Sequence, residues 1–162
     1  MKVVSEIIDE LGLVAHPEGG YYKRMYESVV EVEIEGRKRP CCTGIYYLLT
    51  GDSFSSFHRL KMEEVWHFYG GDPLLLSVID EEGQLIQPVL GMELIKGQRP
   101  QIVIPTNCWF GGQVLNPDGY TLVGCTVTPG FDFTDFELGS STDLIKKYPG
   151  HHQLIEKLTR KL

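Results

Sequence analysis

Short runs of β-forming residues, separated at regular intervals by turn residues, limit what this chain can fold into more than any other feature of its sequence. Glycine, proline, asparagine and aspartate lie between the runs, as in Gly51-Asp52 and Asn116-Pro117-Asp118-Gly119, and favour tight turns. Strands at this spacing, without helices between them, predict an all-β sandwich or barrel and argue against a parallel sheet. The runs are residues 43–50, 65–69, 74–79, 85–90, 102–104 and 120–127.

Helical periodicity is confined to the two ends of the chain. Apolar residues at helical spacing before Gly12 predict a short amphipathic helix over residues 3–11. The tail repeats this periodicity in residues 144–162, interrupted at Pro149-Gly150, and is expected to pack on the outside of the barrel. No internal repeat, low-complexity segment or linker divides the sequence, so we predict a single domain over residues 1–162.

Composition and charge narrow the classes of function. Of the 162 residues 42% are hydrophobic and 23% charged, which is ordinary for a soluble globular protein. No apolar run approaches the roughly 20 residues that cross a bilayer. Residues 1–6 include an acidic side chain where a signal peptide needs an unbroken apolar stretch, so we expect a cytoplasmic protein. The net charge of −7 argues against a nucleic-acid partner, because such binding needs a cationic surface.

A charged hairpin and four cysteines carry structural predictions. Valine and isoleucine alternate with glutamate over residues 30–35, and Gly36 follows, which predicts a half-exposed hairpin. The basic cluster Arg37-Lys38-Arg39 is interpreted as a charge match to these glutamates across the strands. The cysteines lack Cys-x-x-Cys spacing and are predicted to be buried free thiols, not zinc ligands or disulfides. They are Cys41, Cys42, Cys108 and Cys125.

The run from Ser55 to Gly71 carries the clearest chemical pattern. It reads SSFHRLKMEEVWHFYGG and places Glu64 six residues after His58. It resembles the first sequence motif of the cupin superfamily. In that motif a strand with histidines turns back into a strand with a glutamate, so that these side chains point into a small barrel.

Four blocks together resemble one uncharacterised subfamily of the cupin superfamily. They are HPEGGYY at residues 16–22, HRLKMEEVWHFYGGDP at 58–73, PQIVIPTNCW at 100–109 and GCTVTPGFDFTDFE at 124–137. The resemblance implies a cupin double-stranded β-helix, or jelly roll, with a pocket at the barrel mouth. It also implies a homodimer. Together with the periodicity, it predicts an all-β barrel with short helices at the N- and C-termini.

The resemblance further implies a weakened form of the usual cupin metal site. The position of the second histidine holds Leu60, and Phe110 stands where the second motif places its last histidine. Only His58 and Glu64 remain of the four usual ligands, and a catalytic transition-metal site generally needs about three protein ligands. We therefore expect no cofactor. Any metal would be held by His58 and Glu64, with His67 as a further candidate.

His58, Glu64 and Tyr22 are the candidate catalytic residues. An imidazole titrates near neutral pH, so His58 can remove a proton next to a carbonyl. A carboxylate beside it, assigned to Glu64, would fix the tautomer and stabilise the cation, and Tyr22 would serve as a phenolic acid. The alternative is that His58 and Glu64 only hydrogen-bond inside a barrel that has no catalytic function.

Seven further residues are candidate substrate contacts. Strand alternation places Glu64 and Trp66 on one face and His67 on the other, so only a β-bulge would bring His67 into the pocket. Arginine suits an anionic group or an exposed salt bridge, and aromatic rings suit a sugar, a base or the core. The seven are Glu18, Arg24, Tyr46, Arg59, Trp66, His67 and Trp109. The acids of residues 131–137 alternate with phenylalanine as on an exposed strand face, so they are placed outside the site.

These residues are compatible with three functions. The first is a metal-independent epimerase or isomerase acting on a sugar or nucleotide sugar, by analogy with metal-free epimerases of the superfamily. The second is a non-catalytic cupin that binds a small molecule for sensing or storage, and the third is a degenerate metal-dependent cupin enzyme. The sequence favours the first. It predicts a small-molecule ligand, with no nucleic acid and no membrane as partner.

Overall fold

Fourteen strands and three α-helices form the regular structure of residues 2–160, which the computed structural model describes. The helices are α1 Lys2–Leu11, α2 Ser141–Lys147 and α3 His152–Lys157. The strands are β1 Val14–Ala15, β2 Tyr21–Glu27, β3 Glu31–Ile34, β4 Arg37–Pro40, β5 Thr43–Thr50, β6 Phe54–Leu60, β7 Glu63–Gly71, β8 Leu74–Ile79, β9 Leu85–Ile86, β10 Val89–Leu90, β11 Gln101–Ile104, β12 Trp109–Val114, β13 Tyr120–Thr128 and β14 Phe136–Leu138.

Two antiparallel sheets enclose the core. The first has the strand order β1-β2-β5-β13-β7-β11, and the second has the order β10-β8-β12-β6-β14, with β9 paired to β8. Strands that are neighbours in a sheet are mostly distant in sequence, as in a jelly roll. The predicted all-β double-stranded β-helix with terminal helices is confirmed.

Alternating side chains from the inner faces of both sheets fill the barrel. Tyr47 and Trp66 of the first sheet and Leu76 and Phe110 of the second belong to one buried cluster, each no more than 1% exposed. This cluster occupies one part of the interior. The remaining part is the cavity described below.

The helices lie at the two ends of the chain, as predicted, although the last helix ends at Lys157 and residues 161–162 of the predicted tail lie outside the described residues. Helix α1 begins one residue before the predicted span and ends at Leu11. In α2 and α3, Leu144 and Ile155 are buried against Phe57 and Trp109, which form a second cluster outside the barrel interior. Within residues 2–160, no helix is long and apolar enough to cross a membrane.

The hairpin of β3 and β4 forms a separate two-stranded sheet, and its charges differ from the prediction. Glu33 faces Lys38 across the strands, as expected, but Arg39 faces Val32. The Arg39 guanidinium instead forms a buried ion pair with Asp135, and the two side chains are 7% and 6% exposed. The interpretation of Arg39 as part of an exposed charge match was therefore wrong, because the hairpin packs this residue against a distant loop.

Residues 131–137 do not form the predicted exposed strand face. Residues 133–135 form one turn of 3₁₀-helix, and only the following three residues form β14. The Asp132 carboxylate caps that turn by accepting a hydrogen bond from the Thr134 N–H. Asp135 then points inward to Arg39, because the turn breaks the two-residue alternation of a strand.

The four cysteines are free thiols, as predicted. Cys108 and Cys125 are buried, whereas Cys41 and Cys42 are only partly buried. The prediction of burial was wrong for this adjacent pair, because they follow β4 and precede β5 in the connection between the hairpin and the first sheet.

Candidate functional site

A cavity of about 390 Å³ lies between the two sheets, at the end of the barrel that the core leaves open. Strands β2, β5, β7 and β13 of the first sheet and β6 and β14 of the second contribute to its wall. The loop before β2 and the segment before β14 complete it. A concave site of this volume suits a small molecule.

His58 lies in the wall of this cavity on strand β6 and is 2% exposed. Its Nδ1–H donates to the Ser56 carbonyl oxygen at 2.7 Å, because a carbonyl can only accept. The Phe110 ring packs against the imidazole with a centroid distance of 4.0 Å. The ring is therefore held in one orientation and one tautomer, with Nε2 directed away from the backbone.

Glu18 is the carboxyl group that contacts this imidazole. Its Oε2 lies 3.1 Å from His58 Nε2, and its Oε1 accepts a hydrogen bond from the Ser55 hydroxyl at 2.8 Å. Since His58 Nδ1 already carries a proton, the short Nε2–Oε2 contact requires one further proton, carried by either group. His58 and Glu18 therefore form one hydrogen-bonded pair inside the cavity.

The sequence predicts Glu64, not Glu18, beside His58. The structure separates His58 and Glu64, because β6 belongs to the second sheet and β7 to the first. The loop before β2 instead crosses to β6, where the Ser56 N–H donates to the Glu18 carbonyl oxygen at 2.8 Å. The assignment of Glu64 as the orienting carboxylate is corrected to Glu18, which the sequence predicts only as a substrate contact.

Backbone geometry fixes the loop that carries Glu18. Gly19 has a φ of 117°, and a Cβ there would lie 2.2 Å from the Phe54 carbonyl oxygen. The Tyr47 hydroxyl donates to the Gly19 carbonyl oxygen at 2.7 Å. Glycine at this position is therefore a requirement of the close approach between the loop and β6.

Replacing Gly19 with alanine should displace Glu18 from His58. The new Cβ must push the loop away from β6, and the backbone conformation alone costs about 1–3 kcal/mol. Denaturant unfolding and the NMR signals of the His58 imidazole would report the two effects. Gly97→Ala is the matched control, because Gly97 also has a positive φ, 83°, but has open space around it. Equal losses of stability in the two variants, with unchanged His58 signals, would contradict the assignment.

Glu64 lies in the same cavity as a buried carboxyl group without a cationic partner. It is 7% exposed, and the Trp66 indole N–H donates to its Oε2 at 3.0 Å. Among residues 2–160, no lysine, arginine or histidine forms an ion pair with it. Burial, followed by the charge of Glu18, raises the pKa of Glu64 to about 8, although the indole hydrogen bond opposes the shift. Near neutral pH Glu64 is mainly a neutral carboxylic acid.

His16 and Cys125 are two further polar groups of the wall that the sequence analysis did not assign to the site. His16 Nδ1 accepts a hydrogen bond from the Glu18 N–H at 3.3 Å, so the proton of its neutral ring is on Nε2. Burial lowers the pKa of His16 and favours this neutral form. Burial also raises the pKa of the Cys125 thiol well above its ordinary value, so this group is an uncharged part of the wall.

Several predicted contacts do line the cavity. They are Glu18, Tyr22, Arg24, His58, Glu64 and Trp66. Tyr47 also lines it, although the sequence analysis had chosen its neighbour Tyr46. Its hydroxyl is bound to Gly19, and burial together with the charge of Glu18 raises its pKa well above the ordinary value, so it is not a ready proton donor.

The other predicted contacts lie outside the cavity. Tyr46 points to the opposite face of β5, where its ring packs against the exposed Tyr69. His67 faces away from the cavity, as strand alternation requires, and its Nε2 lies 2.9 Å from the Thr126 hydroxyl. Arg59 pairs with Glu137 and stacks on Trp109, whose ring is buried beside the C-terminal helices. The assignments of these four residues, Tyr46, Arg59, His67 and Trp109, to the substrate pocket are corrected.

The donor groups of the cavity do not fit the usual cupin metal site. Leu60 lines the wall and Phe110 packs on His58, so apolar side chains occupy two of the four ligand positions. Both His58 ring nitrogens already contact Ser56 and Glu18. Within the described part of the chain, no three histidine, cysteine, aspartate or glutamate side chains are grouped to hold a metal ion. We therefore derive no chemistry through a metal.

Solved structures share this fold over nearly the whole chain. Protein SO0799 from Shewanella oneidensis is 40% identical with a TM-score of 0.91, and 98% of each chain is covered. A hypothetical protein from Leishmania major is 36% identical with a TM-score of 0.90, covering 97% of this chain and 98% of that one. Oxalate decarboxylase from Bacillus subtilis shares the fold alone, at 13% identity and a TM-score of 0.58 over 91% of this chain and 37% of its own.

Sequence comparison gives the family. The Uncharacterized protein YML079W of Saccharomyces cerevisiae is 28% identical over 94% of this chain and 83% of its own length. The family model described as Cupin superfamily (DUF985) matches residues 5–139, most of the chain. The chain therefore belongs to the DUF985 family of the cupin superfamily.

Proposed function

We propose that this cupin is a metal-independent isomerase or epimerase, which moves a proton next to a carbonyl group in a small sugar or nucleotide sugar. The observation that supports it most is the His58–Glu18 pair, whose Nε2 and Oε2 lie 3.1 Å apart in the wall of a cavity sized for one small ligand. A buried pair of this kind is costly to keep for packing alone.

The His58–Glu18 pair would act as the base. The pair acts as the base only after the proton between Nε2 and Oε2 has passed to solvent, because the two acceptor atoms then face each other at 3.1 Å and favour the uptake of a proton. Accepting a proton from the substrate carbon breaks a C–H bond, leaves the electron pair as an enolate, and creates the imidazolium–carboxylate hydrogen bond. The new hydrogen bond stabilises the protonated pair, and Ser56 keeps the ring oriented during the transfer.

Glu64 would act as the acid that protonates the enolate oxygen. It is a neutral carboxylic acid near pH 7, because its pKa is raised to about 8, and it lines the same cavity as the base. The sequence analysis had assigned this role to Tyr22, which also lines the cavity and remains a candidate contact for a substrate hydroxyl. Proton donation by Glu64 should decline above about pH 8, so the rate should fall there.

The remaining wall suits a sugar. The Tyr22 ring is partly exposed in the cavity wall, and an aromatic face packs well against the C–H face of a sugar ring, whereas Trp66 is only 1% exposed and supports the wall from the core. A non-catalytic binding protein would use the same wall, but it would require neither the His58–Glu18 pair nor a neutral Glu64.

Solvent-deuterium exchange tests the proposal. The protein would be incubated in D₂O with a panel of ketose phosphates and nucleotide keto-sugars, and deuterium in each sugar would be followed by NMR. We expect exchange into one class of compound. His58→Gln should lower the exchange rate about 100-fold or more, because a positioned base contributes at least that much.

His67→Gln is the matched control for this experiment. It changes a histidine that is bound to Thr126 outside the cavity and should exchange at the wild-type rate. Exchange that is unchanged in His58→Gln would remove the base assignment. Saturable binding of a sugar without exchange in the wild-type protein would replace the enzyme with a binding protein.

A further inference from the structure

An exposed phenylalanine stands at the mouth of the cavity. Phe133 is 56% exposed, yet it belongs to the cavity wall together with Phe131 and Phe136. Its ring meets those of Phe131 and Phe136 edge to face, with centroid distances of 4.9 and 6.1 Å. The three rings form an aromatic rim, defined here as Phe131, Phe133 and Phe136.

A buried ion pair and two further polar contacts hold this rim in place. Arg39 reaches from the β3–β4 hairpin to Asp135, which lies between Phe133 and Phe136 in the sequence. The Phe131 N–H donates to the Thr43 hydroxyl at 2.9 Å, and Asp132 caps the turn that carries Phe133. Phe133 is thus an exposed apolar ring on a fixed turn, which is the arrangement expected of a preorganised stacking surface.

Two cationic side chains lie in the wall of the same cavity. They are Lys23 and Arg24 on strand β2, both largely exposed. Arg24 pairs with Glu27 at 2.8 Å, whereas Lys23 has no ion-pair partner among residues 2–160. In a chain with a net charge of −7, these cations at an apolar mouth favour a ligand that combines an anionic group with a planar ring.

We propose that the cavity mouth is a nucleoside-diphosphate subsite, in which the base stacks on Phe133 and the diphosphate contacts Lys23. This subsite rests on the proposed function and narrows its substrate to a nucleotide sugar. The sugar would reach His58, and the nucleotide would remain at the cavity mouth. Binding itself requires no turnover. Base stacking tolerates many bases, so the base identity is left to the measurement.

Calorimetric titration with uridine, thymidine, adenosine and guanosine 5′-diphosphates tests the subsite, with inorganic pyrophosphate as the probe that lacks a base. At least one nucleotide should bind more tightly than pyrophosphate. Phe133→Ala should raise the Kd of that nucleotide about tenfold or more and leave that of pyrophosphate unchanged. Lys23→Ala should weaken both about fivefold or more, with a smaller effect at high salt.

Matched control variants are available outside the cavity. Ile95→Ala removes a fully exposed apolar side chain away from the cavity, and Lys38→Ala removes an exposed hairpin lysine; neither should change the nucleotide Kd. No binding of any nucleotide, or an unchanged Kd in Phe133→Ala, would overturn the subsite. If nucleotides bind as expected while His58→Gln leaves deuterium exchange unchanged, the subsite stands and the isomerase proposal fails.

Discussion

Replacing Glu64 with glutamine should make the protein more stable than wild type at pH 8, and the difference should shrink as the pH falls towards 5. The folded protein holds the Glu64 proton up to about pH 8, whereas the unfolded chain releases it near its ordinary pKa of 4.5. Between these values the folded state binds more protons, so its stability falls as the pH rises, by at most about 1.4 kcal/mol per pH unit from this group. Glutamine carries no proton to lose and keeps an oxygen for the Trp66 indole.

Above pH 8, the free energy of unfolding of Glu64→Gln should exceed that of the wild type by at most about 4 to 5 kcal/mol. Urea unfolding from pH 5 to pH 9 measures it, and the subtraction removes the titration of groups common to both proteins. Glu63→Gln is the matched control, since this neighbouring carboxyl group is exposed. A constant difference across this range, or one that matches the control, would mean that Glu64 is ionised at neutral pH.

Asp135→Ala should destabilise the protein by about 3–5 kcal/mol, because it leaves the Arg39 charge buried without its partner. The Arg39 guanidinium already lacks one hydrogen-bond acceptor in the folded protein, since its Nε has no partner among the described residues. Its remaining contact is at the hydrogen-bond limit, 3.5 Å from the Gly130 carbonyl oxygen. Chemical denaturation at pH 7 measures the loss.

An exposed ion pair on the adjoining strand provides the comparison. Glu137 and Arg59 are 54% and 35% exposed, so Glu137→Ala should cost only about 0–1 kcal/mol. The double variant Arg39→Met with Asp135→Leu should recover most of the stability, because it removes both buried charges. If Asp135→Ala costs no more than Glu137→Ala, then this pair does not anchor the aromatic rim.

The alternation of residues along a strand shows which features of the candidate site local sequence can predict. Two-residue alternation correctly placed Glu64 and Trp66 inside and His67 outside, because β7 is regular through these positions. The same rule could not choose between Tyr46 and Tyr47, since no polar alternation marks the inner face of β5. The 3₁₀ turn at residues 133–135 also departs from two-residue alternation. Alternation therefore predicted neither the buried Asp135 nor the aromatic rim.

Local sequence could not identify the carboxyl partner of His58 for a different reason. Glu64 follows His58 by six residues, whereas Glu18 precedes it by forty. The nearer residue nevertheless lies in the other sheet, because β6 and β7 belong to different sheets. The HPEGGYY block did carry a signal, since His16 and Glu18 stand beside two glycines that permit a tight loop. Nothing in the block indicates where that loop docks.

The spacing of strands and turns, together with four ordered blocks of residues, was enough by itself to determine the jelly roll, the family and the strand positions of His58 and Glu64. Hydrophobic periodicity and turn chemistry, which act over a few residues at a time, predicted the all-β class, and the resemblance of the four blocks predicted the jelly roll and the family. Only the tertiary structure decided that Glu18 contacts His58, that Glu64 is buried without an ion-pair partner among the described residues, and that Phe133 stands at the cavity mouth. Those outcomes depend on burial and on contacts between segments far apart in sequence, and both arise only when the two sheets close on each other.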